Sequence, residues 1–143
     1  RSMESVAVRT ERAMENARAV AEWLRDHPKV AGVTYLGFLP AGSRPRAVFD
    51  RQCTAAGSTF SFTLHGGEAE AFRMLDKLKL VRLAVSLGGS ESLICHSAST
   101  THYAISPDKR LEGGITDGTM RLSVGLEHKD DLIADLAQAL EAV

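Results

Sequence analysis

The run Ser58-Thr59-Phe60-Ser61-Phe62-Thr63-Leu64 alternates between polar and apolar residues without a break. Because successive side chains of a strand point to opposite faces, both phenylalanines and the leucine fall on one face of it. Gly57 precedes the run and His65-Gly66-Gly67 follows it, so turn residues bound it on both sides. We therefore predict a strand here, with one side against a hydrophobic core.

Helical periodicity surrounds this strand. Apolar residues recur at three- and four-residue spacings from Ser5 to His27, until Pro28 ends the pattern. A second helix is predicted over Glu68–Leu78 and a third over Asp130–Ala142, whose first acidic residues suit the helix dipole. The predicted inward positions are Val8, Ala13, Ala17, Val20, Ala21 and Leu24 in the first helix, Ala71, Phe72, Leu75 and Leu78 in the second, and Leu132, Ile133, Leu136 and Leu140 in the third.

Further strands are predicted over Val30–Leu36, Val81–Leu87 and Met120–Leu126, the second of them short and well buried. Ala47–Cys53 is ambiguous, and residues 95–118 form a long polar loop of the kind that usually carries function or an interface. Strands with helices between them predict an α+β fold in a single domain over residues 1–143. We expect a two-layer α/β sandwich, with helices on one face of a mostly antiparallel sheet.

The composition is that of an ordinary globular domain of 143 residues, 44% hydrophobic and 24% charged, with a formal net charge of −1. That charge balance argues against nucleic-acid binding, and no apolar run approaches the ~20 residues that a membrane span needs. Cys53 and Cys95 form neither a disulfide framework nor a metal-ligand spacing, which favours a cytoplasmic protein with reduced thiols. His96 and His102 fit no zinc pattern, so we expect a structural role in the loop and no metal.

Two motifs could hold a small anion. Arg121 lies within a strand pattern, where a rigid guanidinium fork matches a carboxylate. Ser86 ends a strand pattern before Gly88-Gly89, where backbone N–H groups of a turn can face an anion. Taken singly, each has a simpler explanation: a surface arginine on the polar face, and an ordinary strand-to-loop turn. The residues by themselves indicate one possible anion site and no reaction.

Taken together, these motifs resemble those of a known family. Its serine-loop motif is similar to Ala84-Val85-Ser86-Leu87-Gly88-Gly89 with Glu91-Ser92-Leu93, and its arginine motif to Arg121-Leu122-Ser123-Val124-Gly125-Leu126-Glu127 after Gly114-Ile115-Thr116-Asp117-Gly118. His96 with Ala98-Ser99 and Thr101-His102 extends the likeness. The family is that of the pyridoxal-phosphate enzymes of cysteine and methionine metabolism: methionine gamma-lyase, cystathionine gamma-lyase and gamma-synthase, and the O-acylhomoserine sulfhydrylases.

The resemblance implies that residues 1–143 are the small C-terminal domain of a fold-type I enzyme. It implies that Arg121 binds the substrate α-carboxylate, that Ser86 and Leu87 contribute at the same carboxylate, partly through the serine's backbone, and that Thr101 lies on a loop approaching it. Pyridoxal phosphate belongs to the family's larger domain, which this sequence does not match. We therefore expect no catalytic, cofactor-binding or metal-binding residue in this chain, and no activity of the chain alone.

The full-length enzyme is expected to be a homotetramer acting on a sulfur amino acid, most like a methionine or cystathionine gamma-lyase. A sulfhydrylase or gamma-synthase performing γ-replacement is an alternative. Two others come from different classes of protein: a stand-alone small-molecule-binding or regulatory module that keeps the anion site, and a dimerisation domain in which Arg121 is a surface residue. A predicted helix that begins almost at residue 1 without an initiating Met favours a piece of a longer protein.

Overall fold

The computed structural model describes residues 3–143 as a mixed five-stranded sheet with five α-helices. The strands are β1 (Val30–Thr34), β2 (Thr59–Leu64), β3 (Arg82–Leu83), β4 (Leu93–His96) and β5 (Thr119–Ser123). The helices are α1 (Val6–Arg25), α2 (Arg44–Gln52), α3 (Glu68–Lys77), α4 (Pro107–Glu112) and α5 (Lys129–Leu140), and a 3-10 turn at Leu36–Phe38 follows β1. The predicted α+β class is confirmed.

The strands lie in the order β1-β2-β5-β4-β3 across the sheet. Neighbouring strands are antiparallel except for β3, which runs parallel to β4 at one edge. Strand β2 has the predicted alternation, since its two phenylalanines and its leucine are buried while the residues between them are half-buried. Its register with β5 places Ser61 beside Arg121, and Cys95 of β4 lies beside Arg121 on the other side.

One face of the sheet packs against three helices. Helix α1 contacts β1, β2 and α5, and α3 contacts α5. Val20, Phe62, Met74 and Leu136, drawn from all three helices and the sheet, are each at most 1% exposed and belong to a single apolar cluster. The predicted stripes of α1 and α5 are largely confirmed, although Val8 is 71% exposed and Ile133 only partly buried.

The inward face of α3 differs from the prediction. Ala71 and Met74 are its buried residues, whereas Phe72 is 39% exposed and sets its ring edge-on to His96 with centroids 5.1 Å apart. A helix turns about 100° per residue, so a core stripe that includes Ala71 continues through Met74, Leu75 and Leu78. Phe72 lies beside that stripe and packs at its border.

Two predictions for the second half of the chain were wrong. Val81–Leu87 is not a well-buried strand: β3 has two residues, and Leu83, Val85 and Leu87 are 64%, 56% and 55% exposed. The predicted loop over residues 95–118 contains the end of β4 and the whole of α4. Pro107 begins α4, since proline suits the first turn of a helix, where its missing N–H costs nothing.

The ambiguous segment Ala47–Cys53 belongs mainly to α2. Ser43 Oγ accepts a hydrogen bond from the Arg46 N–H at 3.2 Å, and Pro45 stands in the first turn, which are two ordinary signals of a helix start. No residue of α2 is buried, so its sequence carries little periodicity. None of the helices within residues 3–143 is long and apolar enough to cross a membrane.

Candidate functional site

Arg121 occupies the middle of β5 on the face turned away from the helix layer. Met120 and Leu122 on either side of it are at most 1% exposed and belong to the core, so the alternation of the strand directs Arg121 to the opposite face. There it has Ser61 and Cys95 as its cross-strand neighbours. The arginine is half-buried, which sets it apart from the freely exposed surface arginine of the simpler interpretation.

Backbone carbonyls hold the guanidinium of Arg121 in place. Its Nη2 donates to the carbonyl oxygen of Val85 and to that of Ser86, the latter at 3.1 Å. Its Nε is buried and has no hydrogen-bond partner, and among the described residues it is the one buried side-chain nitrogen or oxygen in that position. Because buried polar groups are nearly always paired, the unpaired Nε shows that the described residues do not complete the hydrogen bonding of this cation.

A cleft of about 340 Å³ opens beside this guanidinium. Hydroxyl groups and backbone form much of its wall, and Thr101 Oγ1 lies 2.8 Å from His102 Nδ1 within it. Its lining residues are Thr34, Ser61, Ser97, Thr101, His102, Gly113, Gly114, Ile115, Thr119 and Arg121. A cation surrounded by short polar side chains suits a small anion that also carries hydrogen-bonding groups.

The structure brings together some of the predicted site residues and not others. Arg121 and Thr101 line the same cleft, and Thr101 is exposed at its mouth. Ser86 meets Arg121 through its carbonyl oxygen, which orients the cation. The side chains of Ser86 and Leu87 are exposed and do not line the cleft as the described residues form it.

Residues 84–91, called the strap below, connect β3 to β4 and carry the carbonyls that hold Arg121. Gly88, at φ 75°, donates its N–H to Ser123 Oγ at 2.9 Å, and the Leu126 N–H donates to Ser90 O at 2.9 Å. Both contacts join the strap to β5 or to the segment that follows it. The strap and the arginine strand therefore form one unit.

Glu127 and Ser92 close the end of the strap. The N–H of Ser92 donates to Glu127 Oε1 at 2.6 Å, and the hydroxyl of Ser92 donates to Oε2 at 2.8 Å while accepting the Gly125 N–H at 2.8 Å. Asn16 of α1 donates to the carbonyls of Gly125 and Glu127 at 3.0 and 2.7 Å. Sequence patterns point to none of these pairings, because 35 residues separate Ser92 from Glu127.

His96 has the structural role predicted for it. Its ring nitrogens lie 2.7 Å from Ser99 Oγ and 2.7 Å from the carbonyl oxygen of Asp117, so it joins the turn after β4 to the turn before β5. The first of these turns leads to Thr101 and His102 of the cleft. Within residues 3–143 no group of three or more His, Cys, Asp or Glu side chains is placed to hold a metal ion, and both cysteines are free.

Side chains away from the cleft have shifted pKa values. Burial, and then the charge of Lys29, lower the pKa of His27. Burial also raises the pKa of Tyr35. The backbone N–H of Gly67 is the main cause of a lowered pKa at Glu70, whose carboxylate closes the start of α3. Because these groups lie outside the cleft, their shifted pKa values affect the pH dependence of the fold's stability.

Known proteins match this chain over nearly its whole length. A family model for Cys/Met metabolism PLP-dependent enzymes covers residues 1–141. An L-methionine gamma-lyase of Fusobacterium nucleatum is 44% identical, with 100% of this chain and 36% of that protein aligned. An O-succinylhomoserine sulfhydrylase of Mycobacterium tuberculosis is 39% identical, over 98% of this chain and 35% of that protein.

Solved structures of the same kind share the fold. Cystathionine gamma-lyase from Lactobacillus plantarum, crystallised with L-serine, superimposes with a TM-score of 0.89 at 35% identity, over 100% of this chain and 37% of that one. The chain spans about a third of the length of the curated relatives that it matches. With the family model matched over residues 1–141, this chain belongs to the PLP-dependent enzymes of cysteine and methionine metabolism.

Proposed function

We propose that this chain is the C-terminal domain of a PLP-dependent enzyme acting on a sulfur amino acid, and that it supplies the site for the substrate's α-carboxylate. The observation that carries this proposal is the guanidinium of Arg121, fixed by two carbonyls with its Nε buried and unpaired. A relative crystallised with an amino acid, the L. plantarum cystathionine gamma-lyase with L-serine, has the same fold.

The geometry favours a carboxylate among anions. A guanidinium is planar, and two adjacent N–H groups on one edge match the two oxygens of a carboxylate. The strap carbonyls accept from Nη2 and so restrain the guanidinium plane, which gives its remaining N–H groups a defined direction. Hydroxyls of Ser61 and Thr101 lie in the same cleft, where they can hydrogen-bond the rest of a small polar substrate.

The residues of this chain do not fit the cofactor itself. Pyridoxal phosphate enzymes hold the cofactor through a lysine, and no lysine lines the cleft among the described residues. Lys29 Nζ instead donates to the carbonyls of Leu140 and Val143, each at 2.9 Å, and the other four lysines are exposed. We infer that a part of the full-length protein outside this chain holds the cofactor.

In this arrangement the chain contributes by orienting the substrate. Pyridoxal phosphate, when bound, supplies the electron sink for reactions at the amino-acid carbon skeleton. Arg121 fixes one end of the substrate, so that its amine and side chain reach defined positions without a search through orientations. The chain alone is therefore expected to release no thiol from methionine or cystathionine when pyridoxal phosphate is added, and detecting such release would contradict this division of labour.

Replacing Arg121 in the full-length enzyme tests the carboxylate role. Hydrogen bonds to charged groups contribute about 1.5–3 kcal/mol, so Arg121→Ala should lower kcat/KM roughly 10- to 150-fold, mainly through KM. Arg121→Lys keeps the charge but loses the planar fork, and it should recover only part of that loss. Arg51→Ala, which removes an exposed arginine from the last turn of α2, is the matched control. An unchanged KM for Arg121→Ala would make Arg121 a structural residue.

The choice between elimination and γ-replacement is a separate part of the proposal. The gamma-lyase of F. nucleatum is 44% identical and a sulfhydrylase-like protein of Epichloe uncinata is 43% identical, so identity does not separate the two reactions. We propose a C–S lyase, the reaction that the family resemblance favours. Incubating the full-length enzyme with methionine, and separately with an O-acylhomoserine and a thiol, distinguishes the two. Thiol release from methionine supports the lyase, whereas thioether formation alone would identify a replacement enzyme.

The assembly and compartment of the full-length protein remain predictions. We expect a homotetramer in the cytoplasm, in keeping with the resemblance and the reduced cysteines. Light scattering of the purified full-length protein measures its mass directly, and cell fractionation locates it. A monomeric mass, or recovery outside the cytoplasm, would contradict these two expectations without affecting the carboxylate role of Arg121.

A further inference from the structure

Glu127 is the charged residue on which the strap closes, and it lies outside the cleft that contains Arg121. Both of its carboxylate oxygens are used by one residue, Ser92, through its N–H and its hydroxyl. Ser92 is fully buried, so losing this acceptor leaves a buried N–H without a partner. The pairing therefore fixes the point at which the strap enters β4.

The backbone around Glu127 is itself held from two sides. Asn16, 1% exposed, donates to the carbonyls of Gly125 and Glu127. The strap crosses so close to Gly125 that a Cβ there would lie 2.3 Å from the Ser90 oxygen and 2.7 Å from Glu127 Oε2. The backbone that carries the Glu127 carboxylate is therefore held in place, and the carboxylate in turn fixes the end of the strap.

These contacts connect Glu127 to the guanidinium of Arg121. The strap is tied to Ser123 through Gly88 at its middle and to Glu127 through Ser92 at its end. Between those ties and β3 stand the carbonyls that accept from Arg121 Nη2. A strap released at Ser92 would be held only at Gly88 and Ser90, so the carbonyls and the guanidinium plane would be less firmly fixed.

We propose that Glu127 is a positioning residue, which holds the strap so that the guanidinium of Arg121 keeps its orientation toward the substrate carboxylate. This inference rests on the proposed carboxylate role of Arg121. It assigns Glu127 no contact with the substrate. Its effect reaches the substrate through Ser92, the strap carbonyls and the guanidinium.

The test uses the full-length enzyme and two readouts. Glu127→Ala should raise KM for the amino-acid substrate roughly tenfold with a much smaller change in kcat. Glu127→Gln should recover most of it, because its amide can still accept the Ser92 N–H and approach the hydroxyl. Amide hydrogen exchange, followed by mass spectrometry, should accelerate in residues 84–91 of Glu127→Ala while the helix layer stays protected. Glu141→Gln, at an exposed position after α5, is the matched control.

A double variant separates positioning from a general loss of stability. On an Arg121→Ala background the guanidinium is absent, so Glu127→Ala should add little to KM. If the two effects multiply instead, Glu127 acts independently of Arg121 and the proposal is overturned. Should Glu127→Ala fail to fold, Ser92→Ala removes the hydroxyl contact to Glu127 while the Ser92 N–H keeps its acceptor, so it should raise KM by less and accelerate exchange in the same residues.

The outcomes also distinguish the positioning role of Glu127 from the carboxylate role of Arg121 on which it rests. A KM that rises in Arg121→Ala but not in Glu127→Ala or Ser92→Ala overturns the positioning role alone. A KM that is unchanged in Arg121→Ala overturns the carboxylate role, and the positioning role with it. A rise in both single variants, with little further rise in the double variant and faster exchange of the strap, supports both.

Discussion

Asp135 is the buried carboxylate on which the connection between α3 and β3 depends. It is 6% exposed within α5 and accepts three backbone N–H groups, those of Lys79 and Leu80 at 2.8 and 2.9 Å and that of Val81 at 2.9 Å. We predict that Asp135→Ala is among the most destabilising polar substitutions in this chain. Removing the carboxylate leaves several donors without an acceptor at once.

The magnitude follows from which of those donors can reach water. Val81 is 3% exposed and loses its partner outright, Leu80 is half-buried, and Lys79 is exposed and can be solvated. With about 1.5–3 kcal/mol for each hydrogen bond to a charged group, one full loss and one partial loss give about 3–4 kcal/mol. At an m-value of about 2 kcal/mol/M, the urea midpoint should fall by roughly 1.5–2 M.

Urea denaturation followed by circular dichroism measures this shift, with two variants for comparison. Asp135→Asn keeps one oxygen for the N–H groups and should lose only about 1–2 kcal/mol. Asp131→Ala removes an exposed acidic residue from the first turn of α5 and should cost about 0.3–1 kcal/mol. A midpoint for Asp135→Ala no lower than that of Asp131→Ala would refute the reasoning, since the three N–H groups would then have another acceptor.

Gly125→Ala should destabilise the chain by about 2–3 kcal/mol and displace the strap, because its Cβ would lie 2.3 Å from the Ser90 oxygen. Gly32→Ala, where a Cβ meets nothing within 4 Å, is its control, and equal melting temperatures for the two variants would contradict this prediction. His27 has a pKa below its usual 6.5 because of burial, so its contribution to stability is present above about pH 6.5 and is lost as the pH falls. His27→Gln should therefore show a smaller drop in melting temperature between about pH 7.5 and about pH 5 than the parent chain or His65→Gln, and an equal drop would count against it.

The parts of the fold that the sequence predicts well are those with an uninterrupted period. The alternation around Phe62 predicts β2, and the repeating apolar positions around Val20 and Leu136 predict α1 and α5, because each element buries one face against the shared core. The short elements α2 and α4 bury no residue. Without a buried face there is no period to detect, and only capping residues such as Ser43 mark where they begin.

The candidate site also has one part that the sequence predicts and another that it does not. Arg121 can be picked out as a charged residue within an apolar strand, and the family resemblance gives it a role. The hydrogen bonds that hold the surrounding backbone cannot be predicted from the sequence. Ser92 binds Glu127 across 35 residues, and Asn16 binds Glu127 across 111. Such contacts depend on how the strap packs against β5, and no local sequence pattern indicates that packing.

The strap shows why a correct pattern led to a wrong strand. Leu83, Val85 and Leu87 do alternate with polar or small residues, as a strand would, and the Ala84 N–H still donates to Ile94 O beyond the end of β3. The ladder stops there, and the next carbonyls, those of Val85 and Ser86, accept from Arg121 Nη2. Alternation of apolar and polar residues indicates that one face of a segment is apolar, but it does not indicate whether another element covers that face. Here the backbone that was predicted to extend the sheet orients the arginine, so the segment that fails to form a strand is the one that supports the candidate site.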